Sequence, residues 1–137
     1  MKLVPTRRME QSVRILSFLV STQGVRASAD TIAEVTGISP AVVRQLMQTL
    51  GRAELVASVS GPSGGYWLSC VPAETNMLTV TEACEGPINP MFCDLKGIPC
   101  GRVNQCILHI IWCASQKALA LELSKTSLAD VVASTPE

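Results

Sequence analysis

The stretch SADTIAEVTGISPAVVRQLMQTLG, residues 28–51, constrains the fold more than any other part of this 137-residue chain. Ser28 and Ser39 each stand where a helix N-cap is favoured, and Pro40 suits the first helical position because its missing N–H is not needed there. Gly37 follows the first segment, where a left-handed residue ends a helix. Two short helices joined by three residues predict a helix-turn-helix.

The second helix of this pair has two chemically different faces. Arg44, Gln45 and Gln48 point away from the apolar side, and Arg and Gln side chains make bidentate hydrogen bonds to guanine and adenine edges in a DNA major groove. A solvated polar face is the alternative reading of the same pattern. The residues expected on the buried side are Val43, Leu46 and Leu50.

A glycine-rich turn follows in LVASVSGPSGGYWLS, residues 55–69. Glycine and proline cluster between two extended segments, which is typical of a hairpin tip. A helix-turn-helix followed by such a hairpin predicts a mainly α fold with a small β wing. We assign residues 1–72 to a winged-helix DNA-binding domain.

Residues 73–137 form the second predicted unit, which contains a cysteine-rich loop and a dimerisation helix. The sequence TVTE predicts a short helix capped by Thr79 and Glu82, and residues 87–101 are expected to be loop. A long helix is expected from about Asn104. Its apolar stripe would pack against a second copy of the chain or fold back on its own domain. The stripe consists of Ile107, Ile111, Ala114, Ala118 and Leu121.

Charge and motif content restrict the classes of function. Residues 1–69 carry a net charge of +3 and the remainder −3, an asymmetry expected when the front half meets a phosphate backbone. The start lacks an apolar run of signal-peptide length, and no stretch approaches the length of a membrane span. Nucleotide loops and nucleophile–base pairs are also absent. We therefore expect a cytoplasmic protein that is not an enzyme and has neither a membrane nor a small-molecule substrate as a partner.

Three cysteines and the only histidine fall within CDLKGIPCGRVNQCILH. A flexible loop supplying Cys93 and Cys100, and a helix supplying Cys106 and His109, match the several converging donors that an iron–sulfur cluster needs. Cys113 lies four residues after His109 and is a rival fourth donor or a buried thiol. Cysteine-thiol switching and zinc binding remain open. Cys70 and Cys84 are expected to be packing residues.

The chain resembles the winged-helix iron–sulfur transcriptional regulators, the family that includes IscR and NsrR. The resemblance covers nearly the whole length and rests on residues 29–69 with their GP-x-GGY wing, on the C-x6-C-x5-C-x2-H spacing, and on the segments LTVTEACEG, HIIW and SLADVV. It implies a homodimer in which a cluster on each subunit alters binding to double-stranded DNA.

The resemblance also implies individual site residues. In the IscR pattern the cluster ligands are Cys93, Cys100, Cys106 and His109, whereas in the NsrR pattern Glu10 of the partner subunit would be the fourth. We prefer His109 and a 2Fe-2S cluster over 4Fe-4S, since histidine ligation has precedent in such centres. The implied DNA contacts are Ser39, Ala41, Val42, Arg44, Gln45 and Gln48 of the second helix, and Ser60, Gly61, Ser63 and Gly64 of the wing.

Two positions depart from the IscR pattern. Arg44 replaces a glutamate of the recognition helix, and Ser60 replaces an arginine of the wing. The predicted function is a transcriptional regulator, acting as a repressor, whose affinity for a palindromic operator is controlled by an iron–sulfur cluster that senses iron, redox state or nitric oxide. The alternative is a regulator that senses redox state through cysteine thiols or zinc.

Overall fold

The computed structural model describes residues 5–88, 92–93, 98–99 and 106–134, the two short segments by their backbone alone. Six helices and two small antiparallel hairpins make up this part of the chain. The helices are α1 (Arg7–Ser21), α2 (Ala29–Thr36), α3 (Pro40–Arg52), α4 (Met77–Glu85), α5 (Ile107–Ser124) and α6 (Leu128–Ser134), and the strands are β1 (Val56–Val59), β2 (Gly65–Leu68), β3 (Phe92–Cys93) and β4 (Ile98–Pro99).

The predicted helix-turn-helix is confirmed. The Ser28 hydroxyl accepts a hydrogen bond from the backbone N–H of Thr31 at 3.0 Å, and the Ser39 hydroxyl accepts one from Val42 at 3.4 Å. Gly37 has φ of 70° and ends α2 in the left-handed conformation. Local capping chemistry therefore fixes both the turn and the start of α3.

One apolar core joins the helix-turn-helix to the rear of the chain. The residues of α3 that were expected to be buried are at most 4% exposed, namely Val43, Leu46 and Leu50. Helices α4 and α6 contribute Met77, Val80, Cys84 and Leu128 to the same cluster. Because α4 packs against α1, α3 and α5, it connects the second helix of the helix-turn-helix to the long helix α5.

The wing is the β1–β2 hairpin, in which Val56 lies opposite Leu68 and Val59 opposite Gly65. The segment before α2 extends this sheet, since Ala27 and Tyr66 exchange two backbone hydrogen bonds of 2.9 and 2.8 Å. Gly65 has φ of 150°, and a Cβ there would lie 2.9 Å from the Ala27 carbonyl oxygen. A side chain at this position would push the wing away from α2.

The start of α4 differs from the sequence prediction. Asn76, not Thr79, is the N-cap, and its side-chain oxygen accepts from the Thr79 N–H at 3.0 Å. The helix begins earlier because Met77 is buried in the core, 6% exposed. The Glu82 carboxylate instead accepts from the Ile88 N–H at 3.1 Å, after the helix has ended at Gly86.

The region expected to be loop contains a short antiparallel pair, in which Phe92 lies opposite Pro99 and Cys93 opposite Ile98. The described part of the long helix begins at Ile107, with Cys106 as its N-cap; Asn104, the predicted start, lies outside the described residues. No helix in the described ranges combines the length and apolar character needed to cross a membrane.

The Asn76 cap gives a direct test of this correction. Replacing Asn76 with Ala should lower the free energy of unfolding by about 1 kcal/mol, since the first turn of α4 loses its side-chain acceptor. Thr79→Ala is the matched control and should cost less than half as much. Chemical denaturation followed by circular dichroism measures both, and a larger loss for Thr79→Ala would restore Thr79 as the cap.

Candidate nucleic-acid interface and cysteine site

The outer face of α3 carries the predicted base-reading residues. Arg44, Gln45 and Gln48 are all exposed, while their buried counterparts on the opposite side anchor the helix in the core. Ser39 and Ala41 are also exposed, and Val42 is half-buried. The wing residues Ser60, Gly61 and Ser63 are exposed, with Gly64 half-buried. Since the fold holds this face outward on a rigid helix, it is available to a partner.

Arg44 does not extend freely from α3. Its Nη2 lies 3.3 Å from Oδ1 of Asp30, in the first turn of α2. Both side chains are largely exposed, at 55% and 78%. An ion pair between two exposed side chains contributes little to stability, so its main effect is to restrict where the guanidinium points.

Two arginines of α1 that the sequence analysis missed lie beside the reading face. Arg7, Arg8 and Gln11 line a groove together with Val42, Gln45 and Leu46 of α3. Arg8 Nη2 also donates to Thr49 Oγ1 of α3 at 2.9 Å. Arginines in the first turn of a helix oppose the helix dipole, and that unfavourable placement was the signal that could have identified them.

A third missed arginine lies beside the wing. The Arg26 guanidinium carbon is 5.1 Å from the centre of the Trp67 ring, on strand β2. Arg26 is exposed and immediately precedes the backbone pair of Ala27 with Tyr66. A cation stacked on an indole is held in place without losing its charge, so Arg26 supplies a positive group beside strand β2, in a hairpin whose residues 56–68 include no lysine or arginine.

At the start of α5, Cys106, His109 and Cys113 occur at spacings of three and four residues. His109 Nε2 and Cys113 Sγ are 3.1 Å apart, and both side chains are half-buried. Of the two expectations for Cys113, a fully buried thiol is not what the structure shows, since its side chain is half-buried and lies on the same side of the helix as His109. The two side chains are close enough to act as ligands of one metal ion.

The predicted cluster ligands fall partly outside the described residues. Cys100 lies outside them, and Cys93 is described by its backbone in β3 only. Within the described ranges, no three side chains of His, Cys, Asp or Glu converge on a metal-binding position. Thiolates with an imidazole are the donor set that iron–sulfur clusters and zinc use. Within the described residues, the backbone of Cys93 pairs with that of Ile98.

Glu10, the alternative fourth ligand, is engaged within its own helix. Its Oε1 lies 2.6 Å from Arg14 Nη2, and Arg14 Nη1 also donates to the Thr36 carbonyl at 3.2 Å. The carboxylate would have to leave this arginine to bind a metal in a partner subunit.

Cys84 and Cys70 are packing residues, as expected. Cys84 is 3% exposed within the core cluster, and the half-buried Cys70 packs against that cluster. Burial raises the pKa of the Cys84 thiol, and the neighbouring Ser12 hydroxyl opposes this shift only in part. The Cys84 thiol is therefore kept neutral and hidden.

Comparison with known proteins places these features in context. The family described as "Rrf2: Iron-dependent Transcriptional regulator" matches residues 5–134. The HTH-type transcriptional regulator IscR of Vibrio campbellii is 35% identical over 112 residues, which are 82% of this chain and 66% of that protein. The chain thus spans just under two thirds of that relative.

Solved structures share the fold. The global cysteine regulator CymR of B. subtilis has a TM-score of 0.72 and 26% identity, covering 98% of this chain and 100% of that one. The IscR of T. potens has a TM-score of 0.71 and 24% identity, covering 100% and 95%. Both likenesses confirm the winged-helix architecture.

The burial of Cys84 leads to a reactivity prediction. At pH 8 iodoacetamide should modify Cys84 about tenfold or more slowly than Cys70, because only an accessible thiolate reacts and burial disfavours both access and ionisation. Mass spectrometry of proteolytic peptides gives both rates in one sample. In denaturant the two rates should become equal, and equal rates in the native protein would show that Cys84 is not buried in solution.

Proposed function

Because the chain belongs to the Rrf2 family of transcriptional regulators, we propose that it is a DNA-binding repressor whose operator affinity is controlled by an iron–sulfur cluster. The protein is a transcriptional regulator and not an enzyme, because its family and its relatives are transcriptional regulators. The proposal places it in the cytoplasm, where DNA is accessible and thiols stay reduced.

The observation that carries DNA recognition is the polar face of α3 with its arginine flank. Ser39 caps the helix end that would enter a major groove, and Arg44, Gln45 and Gln48 follow on the exposed side. Arg7 and Arg8 lie next to this face, where phosphates of a bound duplex would pass. Contacts from side chains to base edges give sequence specificity, and contacts from arginines to phosphates fix the position of the protein on the duplex and add affinity.

A homodimer would arise through α5. The apolar stripe predicted from the sequence is fully exposed in the single chain, with Ile107 at 70%, Ile111 at 54% and Leu121 at 62%. The half-buried residues of α5 lie on the opposite side, toward α4. An exposed apolar stripe on one long helix suits a self-complementary two-fold contact. Two copies of α3 would then meet major grooves about 34 Å apart on a palindromic operator.

The cluster would be held by Cys93, Cys100, Cys106 and His109, with a 2Fe-2S cluster preferred over 4Fe-4S. When bound, such a group supplies one-electron chemistry and reacts with oxidants and nitric oxide. His109 is favoured over Glu10 as the fourth ligand because it follows Cys106 by one helical turn, whereas Glu10 is paired with Arg14.

The path from the cysteine loop to the DNA face would run through α4. This helix contacts α1, α3 and α5, and it ends at Glu85, eight residues before Cys93 in the sequence. A change in the loop that shifts α4 would also shift the helices that carry Arg7, Arg8 and Arg44. Control of DNA affinity requires that the two arrangements differ in stability with and without the cluster.

The second candidate is a regulator that senses redox state through cysteine thiols or zinc. It is supported by the likeness to CymR, a global cysteine regulator, and by the 3.1 Å contact between His109 and Cys113. In this case mild peroxide would produce a specific disulfide among Cys93, Cys100 and Cys106, visible by mass spectrometry. DNA affinity would then follow the oxidation of the thiols and not the iron content.

The cluster is tested by anaerobic purification. The wild-type protein should be coloured and contain about two iron and two acid-labile sulfide per chain, and its affinity for a selected duplex should change when the cluster is removed. Cys106→Ser should abolish both effects while keeping α5, since serine is a good N-cap. Absorption spectra, metal analysis and fluorescence anisotropy provide the readouts.

Two sets of controls sharpen this test. Cys84→Ser removes a thiol outside the loop and should retain the cluster. His109→Ala and Glu10→Ala, compared separately, identify the fourth ligand by which of them alters the spectrum. A colourless wild-type protein whose DNA affinity ignores iron and sulfide would contradict the cluster and favour the thiol or zinc mechanism.

The dimer is tested on the α5 stripe. Ala118→Glu should weaken dimerisation by about tenfold or more, because a carboxylate buried without a partner is strongly unfavourable. Ala118→Ser changes the same position without adding a charge and should leave the dimer largely intact. Analytical ultracentrifugation distinguishes the two, and equal dissociation constants would remove α5 as the interface.

A further inference from the structure

The Arg44–Asp30 pair joins two different helices at the DNA face. Arg44 projects from the exposed side of α3, and Asp30 lies in the first turn of α2, 3.3 Å away. Arg14 and Glu10, by contrast, pair within one turn of α1. The contact between helices orients the Arg44 side chain relative to a second helix, whereas a pair along one helix orients its side chains only relative to that helix.

The backbone that carries the Asp30 carboxylate is held in a defined place. Ser28 caps α2 two residues before Asp30, and the buried Ile32 and Ala33 lock α2 against the core. On the other side, Val43 and Leu46 lock α3. Both backbones that carry the pair are therefore rigid, so the direction of the Arg44 side chain depends mainly on Asp30.

The magnitude of the interaction argues against a structural role. Both partners are more than half exposed, and such pairs contribute about 0–1 kcal/mol to stability. A bound duplex would exclude water from the pair and strengthen it. Its effect is therefore largest in the complex with DNA.

Arginine can bind a carboxylate and a base at the same time. The guanidinium has five N–H donors, and one nitrogen facing Asp30 leaves donors on the other two. Reading O6 and N7 of guanine takes two of them. A free arginine side chain loses about 2 kcal/mol of rotamer entropy on being fixed, and a partner that fixes it beforehand reduces that loss.

We propose that Asp30 is a positioning residue that orients Arg44 toward a guanine, and so determines specificity at one base pair of the operator. This inference rests on the proposed function, in which α3 reads DNA. The relevant ligand is a G·C pair in the major groove, and Asp30 acts on it only through Arg44.

The test uses the full chain and a duplex selected from a randomised pool by the wild-type protein. Affinities are then measured for duplexes that carry each single base-pair substitution. Arg44→Ala should lose discrimination at one G·C pair by about tenfold or more. Asp30→Asn should lose about threefold to tenfold at that same pair, and Asp30→Glu should restore part of the loss.

Glu34→Gln is the matched control. Glu34 is exposed on α2 one turn after Asp30, and no ion pair engages it within the described residues. Removing either acid reduces repulsion of the phosphates and should raise affinity for all duplexes alike. Only Asp30→Asn should change the ratio between the matched and substituted duplex. Thermal unfolding confirms that the variants remain folded.

The outcomes separate the two levels of the proposal. If Arg44→Ala reduces discrimination at one base pair while Asp30→Asn behaves like Glu34→Gln, the positioning role of Asp30 is wrong and DNA reading by α3 stands. If Asp30→Asn reduces discrimination equally in the Arg44→Ala background, Asp30 contacts DNA directly and the inference is overturned. If Arg44→Ala leaves discrimination unchanged everywhere, base reading by Arg44 fails, and the role of Asp30 fails with it.

Discussion

The packing of α4 into the helix-turn-helix core is the interaction on which the rest of this structure depends. Met77, Val80 and Cys84 fill the space between α1 and α3, and Leu128 of α6 completes the cluster. Without α4, α3 would lose part of its support and α5 would lose the surface on which it lies. The same contacts therefore support the polar face of α3 and connect it to α5, which carries His109.

Local chemistry made much of this fold predictable. Ser28, Ser39 and Gly37 act through hydrogen bonds and backbone angles that involve only their neighbours, so their sequence patterns are sufficient. The start of α4 could not be predicted in this way, because both Asn76 and Thr79 are acceptable caps. The burial of Met77, a tertiary effect, decides between them.

The candidate site was less predictable, and the reason is also physical. The polar face of α3 follows from helical spacing, but its neighbours come from elsewhere in the chain. Arg8 reaches Thr49 and Arg26 stacks on Trp67, each across 41 residues of sequence. Pairings of this kind depend on how helices pack, and no spacing rule in one segment contains them. For Cys93 and Cys100, which are proposed as ligands, the assignment rests on sequence spacing.

The two faces of α5 have a further consequence. This 18-residue helix has no fully buried side chain of its own, and helices in proteins owe most of their stability to tertiary packing. In the proposed dimer, the order of α5, and with it the arrangement of Cys106 and His109, would follow mass action. The cellular concentration of the protein would then influence the response itself. A scarce protein would be largely unassembled and would hold its cofactor less well, whatever the signal.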